Sequence, residues 1–362
     1  MEAYGNSYLM YRNWRGGNAS PLQYIISRGE AKAMFCGYKM KYINFELTTE
    51  CPLQCPQCYC TLNTGKYLDK NRAIECIKQA AKYGIAQINL SGGETLCYPY
   101  LYEIISCASL YGIDTNVALS GIGFDIDVYN ELITAGVTGI YVSMNGASSE
   151  INEKSRRGFK CAVSAIRLLH ELGYKRTTIN WVMQSSNADD FDNMIRFAEN
   201  NGVAQIVVMA LKPNSKNELI NLPSRKQMIS VSNTIVRYNG PVKIRIESCF
   251  SPMLALSCDS FLVGNTNTGL SKGCTAALSS INLNVDGLFS PCRHLNYPEK
   301  WDDMNDYWEN SKVLQQIRQV ESNKKEPCMS CKYSDYCRHC LAINDTIQGK
   351  IYIGNSNCCI CG

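Results

Sequence analysis

Between residues 42 and 211, short apolar runs alternate with segments whose apolar residues recur every three or four positions. The runs Tyr42–Thr49, Ala86–Ser91, Asp114–Leu119, Gly139–Met144, Thr177–Met183 and Ala204–Leu211 have the length and composition of buried strands. Between them, Ala73, Ile74, Ile77, Ala80 and Ala81 form one helical stripe, opened by Asp69 as N-cap, and Leu101, Ile104, Ile105 and Ala108 form a second. Val128, Leu132 and Ile133 make the third, Ala162, Ile166, Leu169 and Leu172 the fourth, and Phe191, Met194, Ile195 and Ala198 the fifth. A glycine follows each stripe (Gly84, Gly112, Gly136, Gly173, Gly202), suited to the left-handed conformation that ends a helix.

Six strands alternating with five helices predict parallel pairing through right-handed crossovers. Six βα units are too few for a closed eight-stranded barrel, so the expected α/β fold is a partial (β/α)6 TIM-like barrel over residues 42–215. Ligands in parallel sheets bind at the carboxyl ends of the strands. The chemically suggestive residues fall there: Cys51 after the first strand, Gly92-Gly93-Glu94 after the second, Ser120-Gly121 after the third and Asn145-Gly146 after the fourth.

Past residue 211 the alternation stops. Ser224–Tyr238 reads as a helix, Val242–Glu247 as a strand, and Ile281–Phe289 as a hairpin turning at Asp286-Gly287. Residues 216–362 are expected to form a second unit; from Pro327 it carries much cysteine, little apolar periodicity and a need for metal to hold its fold. Residues 1–41 lack clear periodicity and are expected to cap the barrel mouth.

Composition adds one decisive fact. Twenty of the 362 residues are cysteine, against three histidines, while 19% charged and 45% apolar residues exclude a disordered chain. A net charge of +4 with no Lys/Arg run longer than two offers no stripe for nucleic acid. The start, Met1-Glu2-Ala3-Tyr4-Gly5-Asn6, lacks a secretory signal, and no apolar run approaches the roughly 18 residues that span a bilayer. A cytoplasmic protein is expected, with cysteines that bind metal in place of ten disulfides. Cys36, Cys76, Cys97, Cys107 and Cys161 stand alone and read as small packing residues.

Cys51, Cys55 and Cys58 are separated by three and then two residues. Thiolates so spaced can hold three irons of a cubane and leave the fourth open. A zinc site completed by Cys60 is the alternative, although structural zinc favours paired two-residue spacings.

This loop resembles that of the radical S-adenosylmethionine (SAM) superfamily, in which a Cys-x3-Cys-x2-Cys loop follows the first strand and a Gly-Gly-Glu segment, here Gly92-Gly93-Glu94, the second. The resemblance implies a [4Fe–4S] cluster whose open iron chelates the methionine end of SAM. Reductive cleavage then gives a 5′-deoxyadenosyl radical that abstracts a substrate hydrogen. By the same resemblance Gly92 and Gly93 let the backbone approach the cofactor, Glu94 or a neighbouring carbonyl receives its ammonium, Ser143 meets methionine or ribose, and Arg156 or Arg157 the carboxylate. Ser120 stands in place of the more usual Asn after the third strand, and Asn145 in place of the usual Asp. Gln57 replaces an aromatic residue, so Tyr59 is the candidate for packing on the adenine.

The C-terminal cysteines resemble the SPASM extension of that superfamily, which carries two auxiliary [4Fe–4S] clusters, for three in all. Cys274 is followed by twelve residues, Gly287, four residues and Cys292; Cys328, Cys331, Cys337 and Cys340 then follow at intervals of two, five and two residues. The resemblance implies Cys274, Cys292 and Cys340 with upstream Cys258 (Cys249 as second choice) on the first auxiliary cluster, and Cys328, Cys331, Cys337 and Cys358 on the second. Without an upstream ligand, the first cluster would have an open iron for a substrate thiolate. A pair of zinc sites is the alternative.

SPASM enzymes mostly modify ribosomally made peptides. The resemblance therefore implies hydrogen abstraction from such a peptide to install a crosslink, such as a thioether. Alternatives within the family are an epimerase, a cofactor maturase or a sulfatase-maturing enzyme; Arg293-His294 after Cys292, where sulfatase-maturing members have an acidic residue, weakens the last. His294 is the candidate base. Implied partners are the peptide, an electron donor such as flavodoxin or ferredoxin, and a separate leader-recognition protein, since residues 1–41 leave no room for a recognition domain. A non-enzymatic iron–sulfur electron carrier is the alternative of another class; it has no need of Gly92-Gly93-Glu94 beside an incomplete cysteine set.

Overall fold

The structure, a computed structural model, describes residues 38–257, 273–331, 333–334, 337–338, 340–349 and 351. The chain divides into two compact units, Met1–Tyr38 and Lys39–Gly362. The proposed cap, residues 1–41, lies almost wholly outside the described residues.

The second unit begins with strand β1 (Tyr42–Glu46), helix α1 (Lys70–Lys82), β2 (Gln87–Ser91), α2 (Leu101–Leu110), β3 (Asp114–Leu119) and α3 (Ile126–Ala135). It continues with β4 (Gly139–Ser143), the single turn α4 (Ser149–Asn152), α5 (Phe159–Glu171), β5 (Thr178–Met183), α6 (Phe191–Asn200), β6 (Gln205–Ala210), α7 (Arg225–Arg237) and β7 (Lys243–Ile246). The hairpin β8 (Ser280–Leu283) and β9 (Phe289–Ser290) and the helices α8 (Met304–Asn310), α9 (Lys312–Arg318) and α10 (Leu341–Gln348) complete it.

The nine strands among the described residues form one sheet in the order β7-β6-β5-β4-β3-β2-β1-β8-β9, parallel except for β8 with β9. All six expected strands are present in the expected parallel sequence, with β7 extending the edge beyond β6. The hairpin also forms, but β8 pairs in parallel with the other edge of β1, in the register Asn44↔Asn282.

Local chemistry explains the helices. Asp69 accepts from the Arg72 N–H (2.8 Å) and caps α1, and the five helix-ending glycines have φ between +63° and +91°. Phe191, Met194, Ile195 and Ala198 of α6 are all buried. The third stripe is rotated from expectation: Leu132 and Ala135 face the core, which turns Ile133, about 100° further round the helix, to 41% exposure. Cys97 is exposed where packing was expected, and Cys36 lies outside the described residues.

Strands β1 to β6 each have one buried row and one largely half-buried row. The buried row (Ile43, Phe45, Ile88, Leu90, Val117, Val142, Ile179, Val208) joins the helix stripes in a single core. The opposite row carries Asn44, Glu46, Asn89, Asn116, Tyr141 and Asn180, where a closed barrel has branched apolar residues. In register across β3, β2 and β1, Asn116 Nδ2 donates to Asn89 Oδ1 (3.0 Å) and Asn89 Nδ2 to Asn44 Oδ1 (3.1 Å). Across β1 to β4 the inner wall is mostly polar, while β5 and β6 add Val182, Val207 and Met209.

Among the described residues no helix is long and apolar enough to cross a membrane.

Candidate active site

The cysteine loop after β1 is pinned from several sides. Cys51 N–H donates to Asn63 Oδ1 (2.9 Å) and Cys58 N–H to the Cys55 carbonyl (3.1 Å). From the segment after α4, Arg157 N–H donates to Cys55 Sγ (3.4 Å), and Gly158 lies so close to Leu53 that a Cβ there would stand 3.1 Å from it. The Arg156-Arg157-Gly158 segment therefore sits on the cysteine loop.

The three thiols are half-buried and none of the described cysteines is in a disulfide. Cys60 faces Cys58 as a hydrogen-bond partner and lowers Cys58 to about 6, making it the thiolate of the pair; Cys60 itself is raised by the same contact. The Cys60 Sγ also reaches the Gly92 carbonyl (3.3 Å). Among the described residues, no three His, Cys, Asp or Glu side chains converge as a single-ion site. Three such thiolates fit a cubane, which takes one on each of three irons. Two buried polar atoms beside the cysteines, Gln57 Oε1 and Arg156 Nε, have no hydrogen-bond partner among the described residues. Each such atom costs about 1–3 kcal/mol if left unmet, so their presence fits a polar ligand. Arg156 also presents its charge to Cys58 and Glu94.

The tail of β2 closes the site from the next strand. Gly93 N–H donates to the Thr48 carbonyl and Glu94 N–H to the Glu50 carbonyl, both at 2.7 Å. A Cβ on Gly92 would stand 2.6 Å from the Thr48 oxygen, and one on Gly93 would overlap the Glu50 carbonyl. Only glycine lets the two backbones approach this closely. Glu94 is buried, and its carboxylate accepts from the backbone amide of Ser120 (2.9 Å), from the Ser120 hydroxyl and from Leu96 N–H (3.3 Å). Burial still raises its pKa. Ser120 thus meets Glu94 directly.

After β4 the roles separate. Ser143 lies half-buried on the polar inner row, whereas Asn145 is fully buried and occupied. Its Nδ2 donates to Ser155 Oγ (3.0 Å), its Oδ1 accepts from Val182 N–H (3.1 Å), and its carbonyl accepts from Trp181 Nε1 (3.1 Å) and Asn187 Nδ2 (2.9 Å). An amide serves here because it both donates and accepts.

Tyr59 reaches back toward the hairpin: its ring lies 4.5 Å from that of His294, and its hydroxyl bonds Arg293. Arg293 donates to Asn44 Oδ1 (3.0 Å) and faces Glu46, which accepts from Asn282 Nδ2 (2.9 Å). Desolvation, then the charges of Lys212 and Arg293, hold His294 well below its ordinary value. It is neutral and a weak proton acceptor.

At the C-terminal side Cys274, Cys292 and Cys340 feel one another's charge, and Cys249 is hydrogen-bonded to Cys340. Cys274 N–H donates to the Arg338 carbonyl (2.7 Å), and Arg338 returns a bond to the Cys274 carbonyl (2.8 Å). Cys249, the second-choice upstream cysteine, is therefore the one at Cys340; Cys258 and Cys358 lie outside the described residues. Cys328, Cys331 and Cys337 are half-buried, and Tyr333 N–H donates to Cys331 Sγ (3.4 Å). Sequence reasoning missed Lys212, Glu247 and the asparagine ladder, although Lys212 follows a strand end, where the same rule had found the others.

Residues 45–198, from β1 into α6, match the radical SAM superfamily. Over 306 residues the chain is 26% identical to the PqqA peptide cyclase of Ruegeria pomeroyi, covering 79% of this chain and 78% of that one. Its fold resembles Streptococcus suis SuiB bound to S-adenosylmethionine (TM-score 0.72, 15% identity, 89% of this chain and 77% of that one). It also resembles anSMEcpe with bound AdoMet (TM-score 0.66, 15% identity, 86% of this chain and 93% of that one). Cys51, Cys55, Cys58 and Gly92-Gly93-Glu94 all fall inside the stretch that matches the radical SAM superfamily, whose members work with SAM and a [4Fe–4S] cluster.

Proposed function

We propose that this enzyme takes a hydrogen from a ribosomally made peptide and installs a crosslink in it, such as a thioether. The observation that carries the reading is the meeting of the cysteine loop, Gly92–Glu94 and Arg156–Gly158 at one end of the sheet, with Gln57 Oε1 and Arg156 Nε buried and unpartnered there.

Cys51, Cys55 and Cys58 would hold the radical-generating [4Fe–4S] cluster. When bound, that cluster and SAM supply the radical that removes the substrate hydrogen. The chain's own residues do the rest. Gly92 and Gly93 let the β2 tail close against the loop, and Ser120 fixes the Glu94 carboxylate behind it. Arg156 brings positive charge to the side of Cys58, where a carboxylate would be received. Tyr59 is held beside His294 and Arg293, which favours a structural bridge to the hairpin over adenine packing.

A peptide substrate is supported by the similar PqqA peptide cyclase and by a SuiB structure bound to precursor peptide SuiA (TM-score 0.70, 16% identity, 89% of this chain and 76% of that one). The polar inner wall suits a chain of amides. We assign residues 42–215 to the radical SAM barrel and 216–362 to a SPASM extension. In it, Cys249, Cys274, Cys292 and Cys340 would hold one auxiliary cluster and Cys328, Cys331, Cys337 and Cys358 a second. A flavodoxin or ferredoxin would supply electrons, a separate protein would present the leader peptide, and the work would take place in the cytoplasm.

The test is anaerobic reconstitution with iron and sulfide, followed by dithionite and SAM. Formation of 5′-deoxyadenosine is the expected result; bound iron without cleavage, or zinc alone, overturns the reading. A short cysteine-containing peptide encoded beside the gene should then lose two hydrogens by mass.

A further inference from the structure

One buried cation has no task in this scheme. Lys212 lies just beyond β6 with its side chain only 6% exposed, and its Nζ donates to Glu247. Glu247 is itself locked to β6: its carboxylate accepts from Ala210 N–H (3.2 Å) and its backbone N–H donates to the Val208 carbonyl (2.8 Å). Two residues further, Cys249 meets Cys340.

Lysine is almost never buried without a partner, and one carboxylate would satisfy a simple structural pair. Here the ammonium faces more than that. Burial alone would lower its pKa, yet the facing Cys249, Glu247 and Cys340 hold it above the ordinary lysine value. The same charge reaches Cys292 and His294. Lys212 therefore lies buried on Glu247, two residues from Cys249, where its charge reaches the thiols from the segments after β7, after β9 and before α10.

We propose that Lys212 is a fixed counter-charge that raises the reduction potential of an iron–sulfur cluster held by Cys249, Cys274, Cys292 and Cys340. The assignment rests on the auxiliary-cluster reading above. Reduction adds one negative charge to a cluster, and net charge, hydrogen bonds to sulfur and solvent exposure set the potential. A desolvated ammonium at the thiolates stabilises the reduced state, while Glu247 offsets part of that effect. Lys212 keeps its charge throughout. Lys212 touches neither substrate nor SAM in this role; it is a positioning charge.

The test uses the full chain with Cys51, Cys55 and Cys58 replaced by Ala, so that paramagnetic signals come from the C-terminal cysteines. After anaerobic reconstitution, potentiometric titration followed by electron paramagnetic resonance should give a more negative midpoint for one signal in Lys212→Met. Lys212→Arg should stay near the parent, and Glu247→Gln should move the midpoint in the positive direction. Retained iron with unmoved midpoints in Lys212→Met and Glu247→Gln overturns the proposal, as does an Arg variant shifted as far as Met. If Lys212→Met does not fold, the Arg and Gln variants decide by the same criteria. A parent chain that takes up no iron overturns the auxiliary-cluster reading itself, a different failure from full iron with unmoved potentials.

Discussion

The carboxylate of Glu94, beyond the end of β2, accepts hydrogen bonds from both the backbone amide and the hydroxyl of Ser120, beyond the end of β3. Two neighbouring strand ends are thus joined through a single buried anion. Removing one donor leaves that carboxylate short of a partner. Ser120→Ala should cost about 1.5–3 kcal/mol of stability, the range for a hydrogen bond to a charged group, and should weaken SAM binding. Chemical unfolding and equilibrium binding of SAM to the reconstituted protein measure the two effects; an unchanged pair of values would show that the contact carries no weight.

The Cys58–Cys60 contact makes the loop's thiols unequal before any metal arrives. Cys58 is lowered to about 6, chiefly by Cys60, whereas burial, then the charges of Glu94, Cys55 and Cys58, push Cys51 up to about 11. The thiolate is the nucleophile, so alkylation follows the pKa. In the iron-free chain iodoacetamide should label Cys58 from about pH 6 upward and leave Cys51 largely unlabelled at neutral pH. Cys60→Ala should shift Cys58 labelling to higher pH. Peptide mapping by mass spectrometry reads both, and equal labelling of the two cysteines would contradict the geometry.

Asn145 tests whether a motif position has exchanged ligand contact for scaffolding. Its side chain joins Ser155 to the Val182 amide from within the core. Asn145→Ala should lower stability by about 1–3 kcal/mol through the unpaired groups it leaves. SAM affinity of the folded fraction should be unaltered. A large loss of affinity at unchanged stability would instead make Asn145 a cofactor contact.

The C-terminal cysteines offer a direct comparison. Because Cys249 meets Cys340, Cys249→Ala should lower the iron content after reconstitution and Cys258→Ala should leave it unchanged. The reverse pattern, read by iron and sulfide assay, would return the ligand role to Cys258.

Much of the barrel was legible because its signals are local. Period-two strands, the Asp69 cap and the stripe of α6 depend on neighbours a few residues away. Pairing at long range was not: nothing in Ser280–Leu283 says that it will add to the free edge of β1, more than 200 residues earlier, because any strand of matching pattern can fill an edge. The choice between Cys249 and Cys258 turns on a related point. Spacing ranks cysteines along the chain, whereas ligation depends on where β7 delivers the segment behind it. Lys212 escaped notice because a lone lysine in a polar stretch reads as solvated; only its burial against Glu247 reveals otherwise.

The amide ladder Asn44–Asn89–Asn116 has a consequence for how such an enzyme changes its cargo. The inner wall contributes nothing to the apolar core, which is built from the other row of the same strands. Substitutions at Tyr141 or Asn180 can therefore reshape the chamber at small cost in folding, while Ile43, Leu90 and Val208 keep the scaffold upright. One strand thus separates evolvable positions from fixed ones, residue by residue.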